Sequence, residues 1–578
     1  MASSIATSTS VAIFPAFPAS SQISIPTRRR SVSCRSSKND DFHQLQRSRR
    51  EILIGFGGAY GATTFNYDQL AAAQPIAAVN LADCGQADLP QGAAPTNCCP
   101  PVPKNIIDFT PPVGGTLRTR PAAHLAGEDY IAKYNKAIEL MKALPADDPR
   151  NFTQQANVHC AYCDGAYHQV GFPDLDLQVH NSWLFFPFHR YYLYFYEKIL
   201  GKLIDDPTFA LPFWNWDSAA GMQIPAMFAN RGSPLYDALR SSVHQPPTLI
   251  DLDYNLQDGD VTPDQQVPHN LAIMYRQMVA NSKTATLFFG SPYRAGDDPD
   301  PGAGSIENIP HGPVHIWTGD KNQPNLEDMG NFYSAARDPI FYSHHSNVDR
   351  MWTLWKNLGG SRRTEFTDSD WLEASFIFYN ENAEAVRVKV KDCLDTRSLG
   401  YVYQDVEVPW LNARPTPRRT SQKVATLFHE KVAMAAERNS DVVPISSFPL
   451  VLDRVVTTKV KRPKKSRSRK EKDDEEELLV IKGIEFERDA PVKFDVYVNE
   501  FEGIYGSPET AEFAGSFVNV PHKHKHGKKT KTILRLGLTD LLEDLGAEDD
   551  DSVLVTLIPK YGKGKVKIGG IEIDFARE

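Results

Sequence analysis

The residues best suited to chemistry fall in two histidine sets. His311-Gly312-Pro313-Val314-His315 places two imidazoles four apart, a spacing that brings both to one face of a helix and lets both address one metal ion. Downstream, Phe341-Tyr342-Ser343-His344-His345-Ser346-Asn347-Val348-Asp349-Arg350 offers a third ligand. Upstream, His159, His180 and His189 form a second set. No cysteine or carboxylate is spaced to complete a zinc tetrahedron, so three-histidine sites point to copper, and two of them in one chain point to a paired copper centre doing oxidase chemistry. Neutral imidazoles suit a metal that cycles between Cu(I) and Cu(II).

These ligands need elements to aim them. Residues 127–144 carry apolar side chains at helical spacing and stop at Pro145, a predicted amphipathic helix. A second predicted helix spans Asn157 to Val170, presenting His159 and His168. A third has Pro187 in its first turn, carries His189 and closes at Gly201. His180 would lie opposite His189 on one continuous helix, so it is expected on an irregular segment before Pro187, with some other group holding it. A fourth helix is predicted around His311 and His315, and a fifth from His344 through Trp355 to Leu358, ended by Gly359-Gly360. Strands are expected near Leu117–Arg120 and Ala385–Lys391, and the long loops between 217 and 310 read as walls of a site. Trp214-Asn215-Trp216-Asp217 reads as a packed aromatic cluster, with Asp217 at most behind the ligands.

Seven cysteines accompany the histidines. Neighbours Cys98 and Cys99 are badly placed to bond to each other, so each is expected to reach a separate partner, with Cys84 and Cys160 as the candidates. Such bridges would tie the Pro-rich arm from Pro95 to Pro112 to the core and imply an oxidising destination. Cys160-Ala161-Tyr162-Cys163 has the spacing of a redox or zinc motif, but no second pair follows it and no βαβ pattern frames it.

Residues 1–39 hold no Asp or Glu, many Ser and Thr, and the cluster Arg28-Arg29-Arg30, the composition of an organelle transit peptide. Arg49-Arg50, the weakly apolar run from Ile52 to Phe65 and Ala71-Ala72-Ala73 then read as a second export signal, so residues 1–80 are assigned to targeting. At 578 residues the chain exceeds one ordinary core. Its net charge of −9 speaks against nucleic acid as a partner, and no apolar run is long enough to suggest a membrane span.

The motifs His159-Cys160-Ala161-Tyr162-Cys163, His180-Asn181-Ser182-Trp183, Phe188-His189-Arg190, His311-x3-His315 and His344-His345-Ser346-Asn347-Val348-Asp349-Arg350-Met351-Trp352 together resemble the plant polyphenol oxidases, the catechol oxidases and tyrosinases of the type-3 dicopper family. The resemblance covers nearly the whole chain, from the bipartite presequence to Lys493-Phe494-Asp495-Val496. It implies a mainly α catalytic domain at 81–410, with a four-helix bundle holding one copper ion by His159, His180 and His189 and the other by His311, His315 and His345. His344 would then stand outside the ligand set. It also implies a Cys163–His180 thioether, disulfides Cys84–Cys99 and Cys98–Cys160, and a free Cys393.

By the same resemblance Phe332 is an aromatic gate above the second copper, and Glu307 a carboxylate that orders a water, stays ionised beside two cations and can take a phenolic proton. Gly312 and Ile316, each following a ligand, would tune monophenol hydroxylation against diphenol oxidation; Gly312 has no side chain to hold that water, which favours the diphenol reaction. The implied activity is oxidation of ortho-diphenols to ortho-quinones with reduction of dioxygen to water, in a plastid and there in the thylakoid lumen. The partners are small phenols, dioxygen and an activating protease. Two other readings stand beside it: a specialised oxidase of a plant phenolic such as a chalcone, and a dioxygen carrier without turnover.

Tyr401-Val402-Tyr403 resembles the motif that closes the family's catalytic domain. Residues 411–445 read as a linker open to proteolysis. Beyond them, period-two runs at Leu450–Val460, Leu478–Phe486, Val492–Val498, Thr532–Leu538, Ser552–Ile558 and Val566–Phe575 predict a jelly-roll-like β-sandwich over 446–578. By resemblance this domain shields the copper site and keeps the enzyme latent. Lys461 to Glu477 reads as a solvated hairpin loop. His522, His524 and His526 alternate with lysines, whose charge opposes a local metal site there.

Overall fold

The computed structural model describes residues 74–112, 114–259, 261–418, 442–500, 506–523 and 529–576. Of residues 1–80, read from the sequence as a targeting segment, 1–73 lie outside them.

The helical body is built on helices α1 (Glu128–Ala143), α2 (Phe152–Cys163), α3 (Phe185–Leu203), α4 (Pro263–Tyr275), α5 (Gly312–Thr318) and α6 (Ile340–Asn357). Asn151 caps α2 by accepting the amide of Thr153, and the capping box of Thr262 and Gln265 opens α4. Helix α3 runs through Gly201, expected to close it. A Cβ at Gly201 would lie 2.9 Å from the Asp206 carbonyl oxygen, so this glycine permits a close approach of backbone rather than ending the helix. Helix α2 starts earlier and stops sooner than expected. His168 is not on it but on a strand, facing Asp176.

Short strands trim this body. β1 (Ile106–Asp108) runs parallel to β6 (Ala385–Lys389), which pairs with β5 (Ser375–Tyr379). β2 (Arg118–Arg120) runs parallel to β7 (Tyr401–Tyr403), and β3 (His168–Gln169) pairs with β4 (Phe172–Asp176). Disulfides Cys84–Cys99 and Cys98–Cys160, with Cα separations of 5.6 and 5.7 Å, pin the Pro-rich arm to α2, while Cys163 and Cys393 are buried free thiols.

The folded body begins before residue 81. Ile76 and Val79 are core residues, and the Ile76 carbonyl accepts the amide of Ser375. The linker is likewise shorter than 411–445 where it is described: Thr416 bridges to Thr510 and Arg418 pairs with Glu500, so the chain is already docked on the C-terminal domain before residue 419.

That domain is a sandwich of two antiparallel sheets with its own apolar core. One sheet has the order β13 (Lys529–Gly537), β10 (Glu476–Glu487), β15 (Lys567–Ile568), β8 (Leu450–Val451), with β16 (Gly570–Ala576) also on β10. The other has the order β12 (Phe513–Asn519), β11 (Val492–Val498), β14 (Ser552–Tyr561), β9 (Val456–Lys461). Period-two patterning anticipated these strands except β12. All seven residues of β12 are buried, because one face packs in the sandwich and the other on the helical body, and a strand buried on both faces shows no alternation. Among the described residues no helix is long and apolar enough to cross a membrane.

Candidate metal centre

Helix α2 carries His159 and α3 carries His189, while His180 comes from the irregular segment between them, as its spacing required. Their ring centroids stand 5.0 to 5.7 Å apart. His311 ends a wide turn (Glu307–His311) in which Ile309 leaves helical geometry, His315 follows on α5, and His345 lies on α6. Those three centroids are 4.6 to 5.4 Å apart. The sets face each other, with His189 and His345 stacked at 4.2 Å.

For five of the six rings, all but His345, the tautomer is fixed by what lies behind the ring. Nδ1–H of His159 donates to the Phe332 carbonyl (2.8 Å), that of His189 to Phe185 (2.8 Å), that of His311 to Glu307 (3.0 Å) and that of His315 to Met329 (2.7 Å). His180 Nδ1–H donates to the side-chain oxygen of Gln178 (3.1 Å), whose amide nitrogen in turn holds the Cys163 carbonyl (2.9 Å). A ring whose Nδ1 carries the proton offers its Nε2 lone pair, and the Nε2 atoms of His159, His180, His189 and His311 are buried without a hydrogen-bond partner. In each set the ligating atoms lie within 4.8 Å of one another. Orphaned, convergent imidazole lone pairs with backbone-held tautomers fit metal ions and are costly without them. With nitrogen donors alone and no thiolate or carboxylate in either group, the donor set suits an imidazole-preferring metal, copper among them.

His344 also falls within the second group, but Trp216 Nε1–H donates to its Nδ1 at 3.2 Å. That donor forces the neutral ring to carry its proton on Nε2, leaving no lone pair for a metal. The tryptophan cluster at 214–217 therefore does more than pack. Trp216 disqualifies one of two adjacent histidines. Asp217 binds Arg350 (3.0 Å), Asn347 (3.0 Å) and Trp410 (2.9 Å), and so holds α6 in place.

The two ligand helices are locked by a buried ionic knot. Asp349, four residues after His345, accepts from Arg190 (2.5 Å), the neighbour of His189, and from Arg120 (3.3 Å) and Tyr401 (2.6 Å). Burial pushes the Asp349 carboxyl up, yet Arg190 and Arg120 hold it below the usual range. Burial likewise keeps all seven imidazoles neutral, lowering each pKa, to about 4 for His315 and about 3 for His159.

Glu307 is buried, and one of its oxygens accepts the Asn181 amide at 2.5 Å while the other has no partner. Burial raises its pKa well above the ordinary value, a shift that two nearby cations would oppose. Ile316 is buried on α5. Phe332 is not above the second histidine set, as the resemblance had it. Its ring stacks on His180 at 4.0 Å and meets His159 edge-on at 5.6 Å, so it covers the first set. The cause is its backbone, since the Phe332 carbonyl is the acceptor for His159.

The C-terminal sandwich closes the site. β12 is an edge strand, and the chain beyond it continues to His522, whose ring stacks on Phe332 at 5.1 Å. His522 is buried there, not part of a surface histidine cluster; His524 and His526 lie outside the described residues. A Cβ at Gly312 would lie 2.6 Å from Val518 Cγ1. Lys493, in the Lys-Phe-Asp-Val run, is buried between the domains, pairing with Asp253 of the helical body at 3.0 Å and with Asp495 of its own strand at 3.2 Å. Gln178 did not stand out in the sequence, Trp216 read only as packing, and His522 read only as part of a lysine-rich histidine run. The roles of Trp216 and His522 depend on neighbours distant along the chain, His344 and Phe332.

Three family models match in order along the chain: the common central domain of tyrosinase over residues 149–358, the polyphenol oxidase middle domain over 365–416 and the chloroplastic polyphenol oxidase C-terminal domain over 448–575. The chain is 63% identical over 566 residues to a chloroplastic polyphenol oxidase of Malus domestica, covering 96% of this chain and 95% of that protein. It is 57% identical over 556 residues to aureusidin synthase of Antirrhinum majus, covering 93% and 97%. The solved structure of latent apple tyrosinase superposes with a TM-score of 0.76 at 66% identity, covering 82% of this chain and all of that one.

Proposed function

The chain belongs to the polyphenol oxidase family, copper oxidoreductases acting on phenols, and on that footing we propose that it oxidises ortho-diphenols to ortho-quinones while dioxygen is reduced to water. His159, His180 and His189 would hold one copper ion and His311, His315 and His345 the other. Copper ions bound there would supply the redox chemistry, by which two diphenols give up four electrons in all to one dioxygen.

The protein's own part is to bind, orient and deprotonate. Phe185 and Phe341 pack edge-on or tilted against both histidine sets, keeping water from the floor of the site. Glu307, with one oxygen held by Asn181 and the other free, accepts a phenolic proton. Gly312 leaves open the space beside His311 in which a phenol ring can lie. With no side chain there to orient a water, diphenol oxidation dominates and monophenol hydroxylation is weak. Cys163 is free, and Gln178 joins its carbonyl to His180, an arrangement in keeping with a thioether between Cys163 and His180 that would restrain this loop ligand.

The covered form is latent because His522 and Val518 occupy the approach over Phe332 and Gly312. A protease cutting in the linker that joins the two domains would begin to open it. The destination is the plastid, as the names of the relatives suggest, and within it the thylakoid lumen, which the twin-arginine signal and the disulfides favour.

The observation that carries this reading is the pair of facing triads, four of whose six imidazoles have their tautomer fixed by a backbone carbonyl. Oxygen uptake and quinone absorbance with catechol, recorded on copper-loaded chain before and after limited proteolysis, test it; a site that binds dioxygen but never consumes catechol would make the protein a carrier. Paired assays with a chalcone separate the general oxidase from the specialised one.

A further inference from the structure

The segment that covers the site is an extended peptide, and the catalytic body reads its backbone. Asn308, buried and next to Glu307, donates from Nδ2 to the Ser516 carbonyl at 2.5 Å and accepts the Val518 amide on Oδ1 at 3.0 Å. The carbonyl of one residue and the amide two positions on are the outward groups of an edge strand, the pair a neighbouring strand would normally satisfy. β12 has β11 on one side only, so one side-chain amide of the catalytic body stands in for the missing strand.

Side chains follow the same logic. In an extended chain, alternate residues share a face. Ser516 bonds Asp253 (3.2 Å), Val518 and Val520 lie over Gly312 beside His311, and His522 stacks on Phe332, so residues 516, 518, 520 and 522 all point at the catalytic body. Phe332 also donates its amide to the Pro521 carbonyl at 3.3 Å. Phe517, on the other face, belongs to the sandwich core. Once the cover leaves, Asn308 loses both partners. Water then takes their place, and a ligand that presents the same carbonyl and amide regains both bonds.

Resting on the oxidase reading above, we propose that the opened site takes ortho-diphenols carried as side chains of an extended peptide, with Asn308 as the specificity residue that reads the backbone. The register is set by the cover. The residue whose amide Asn308 accepts carries the catechol in place of the Val518 side chain, pointing over Gly312, and the carbonyl two residues earlier receives the Asn308 amide. This is recognition by strand addition, in which backbone bonds supply affinity and a side-chain pocket supplies selection. The chemistry is that of the free diphenol: the ring loses two electrons and two protons, and dioxygen accepts them.

The test uses the copper-loaded full chain opened by limited proteolysis until turnover of 4-methylcatechol reaches a plateau. That turnover reports the oxidase reading alone. Its absence would refute the oxidase, not the peptide preference. Two further substrates are acetyl-glycyl-3,4-dihydroxyphenylalanine amide and its ester analogue, in which an oxygen replaces the N–H that Asn308 accepts. The amide is expected to show kcat/KM about fivefold to tenfold above the ester, the worth of one buried hydrogen bond. In Asn308→Leu that ratio should collapse towards one, with 4-methylcatechol as the internal reference. Equal kcat/KM for amide and ester in the unaltered protein overturns the proposal, and so does a ratio that survives in the variant. Should the variant fail to fold, the amide-to-ester comparison decides alone.

Discussion

The imidazole of His522 lies nearly parallel to the ring of Phe332, 5.1 Å between centroids and 23° between planes, while Phe332 in turn stacks on the ligand His180. A residue of the C-terminal sandwich is thus one aromatic ring away from the first histidine set. Removing it should weaken the closure without touching a ligand. His522→Ala in the intact chain is expected to raise diphenol turnover before proteolysis several-fold and to leave turnover after opening at the unaltered level. The ratio of the two rates in an oxygen-electrode assay checks this.

Gly312 has helical backbone angles, so alanine there meets no conformational penalty. The only obstacle is the 2.6 Å approach of Val518 Cγ1. Gly312→Ala should therefore push on the cover, at a cost of about 1–3 kcal/mol for overpacking. The expected outcome is a cover that opens at lower urea concentration and a higher basal rate in the intact chain. An unchanged urea midpoint for activation would count against the packing argument.

The Trp216–His344 bond predicts which of the adjacent histidines is a ligand. His345→Gln should leave about one copper per chain and no diphenol turnover. His344→Gln should retain two, with a modest loss of rate from the disturbed Trp216 contact. Copper per chain by atomic absorption, measured on dialysed protein, distinguishes them.

Metal-free protein should lose stability on mild acidification. The unfolded chain protonates its histidines below about pH 6.5, whereas burial holds His315 neutral down to about 4. Across that window the unfolded state binds more protons than the folded one, so stability falls with pH, by on the order of 3 kcal/mol from His315 alone at the lower end. Copper-loaded protein should resist, since a ligated imidazole cannot take up a proton without losing its metal. Thermal melts of both forms between pH 7 and pH 4.5 are expected to diverge as the pH drops.

Much of the site was legible along the chain because its signals are local. The four-residue spacing of His311 and His315, the misfit of His180 with the helix of His189, and the adjacency of Cys98 and Cys99 are short-range geometry, and each is met in the fold. Helix ends were less legible, because Gly201 signals a cap in sequence but answers in space to the Asp206 carbonyl. The position of Phe332 over the first set, against expectation, follows from a carbonyl bonded to a histidine far upstream.

By itself, then, the amino-acid sequence determined the ligand types, the copper chemistry, the helical frame that carries most ligands and the presence of a β-sandwich beyond residue 446, since all of these rest on residue identity and spacing within one element. Tertiary structure alone decided that Trp216 removes His344 from the ligand set and that β12 lies across the site with Asn308 on its open edge. These are contacts between residues brought together only by the closing of long loops and the docking of one domain on another. A strand buried on both faces by that docking loses the alternation by which it could have been read.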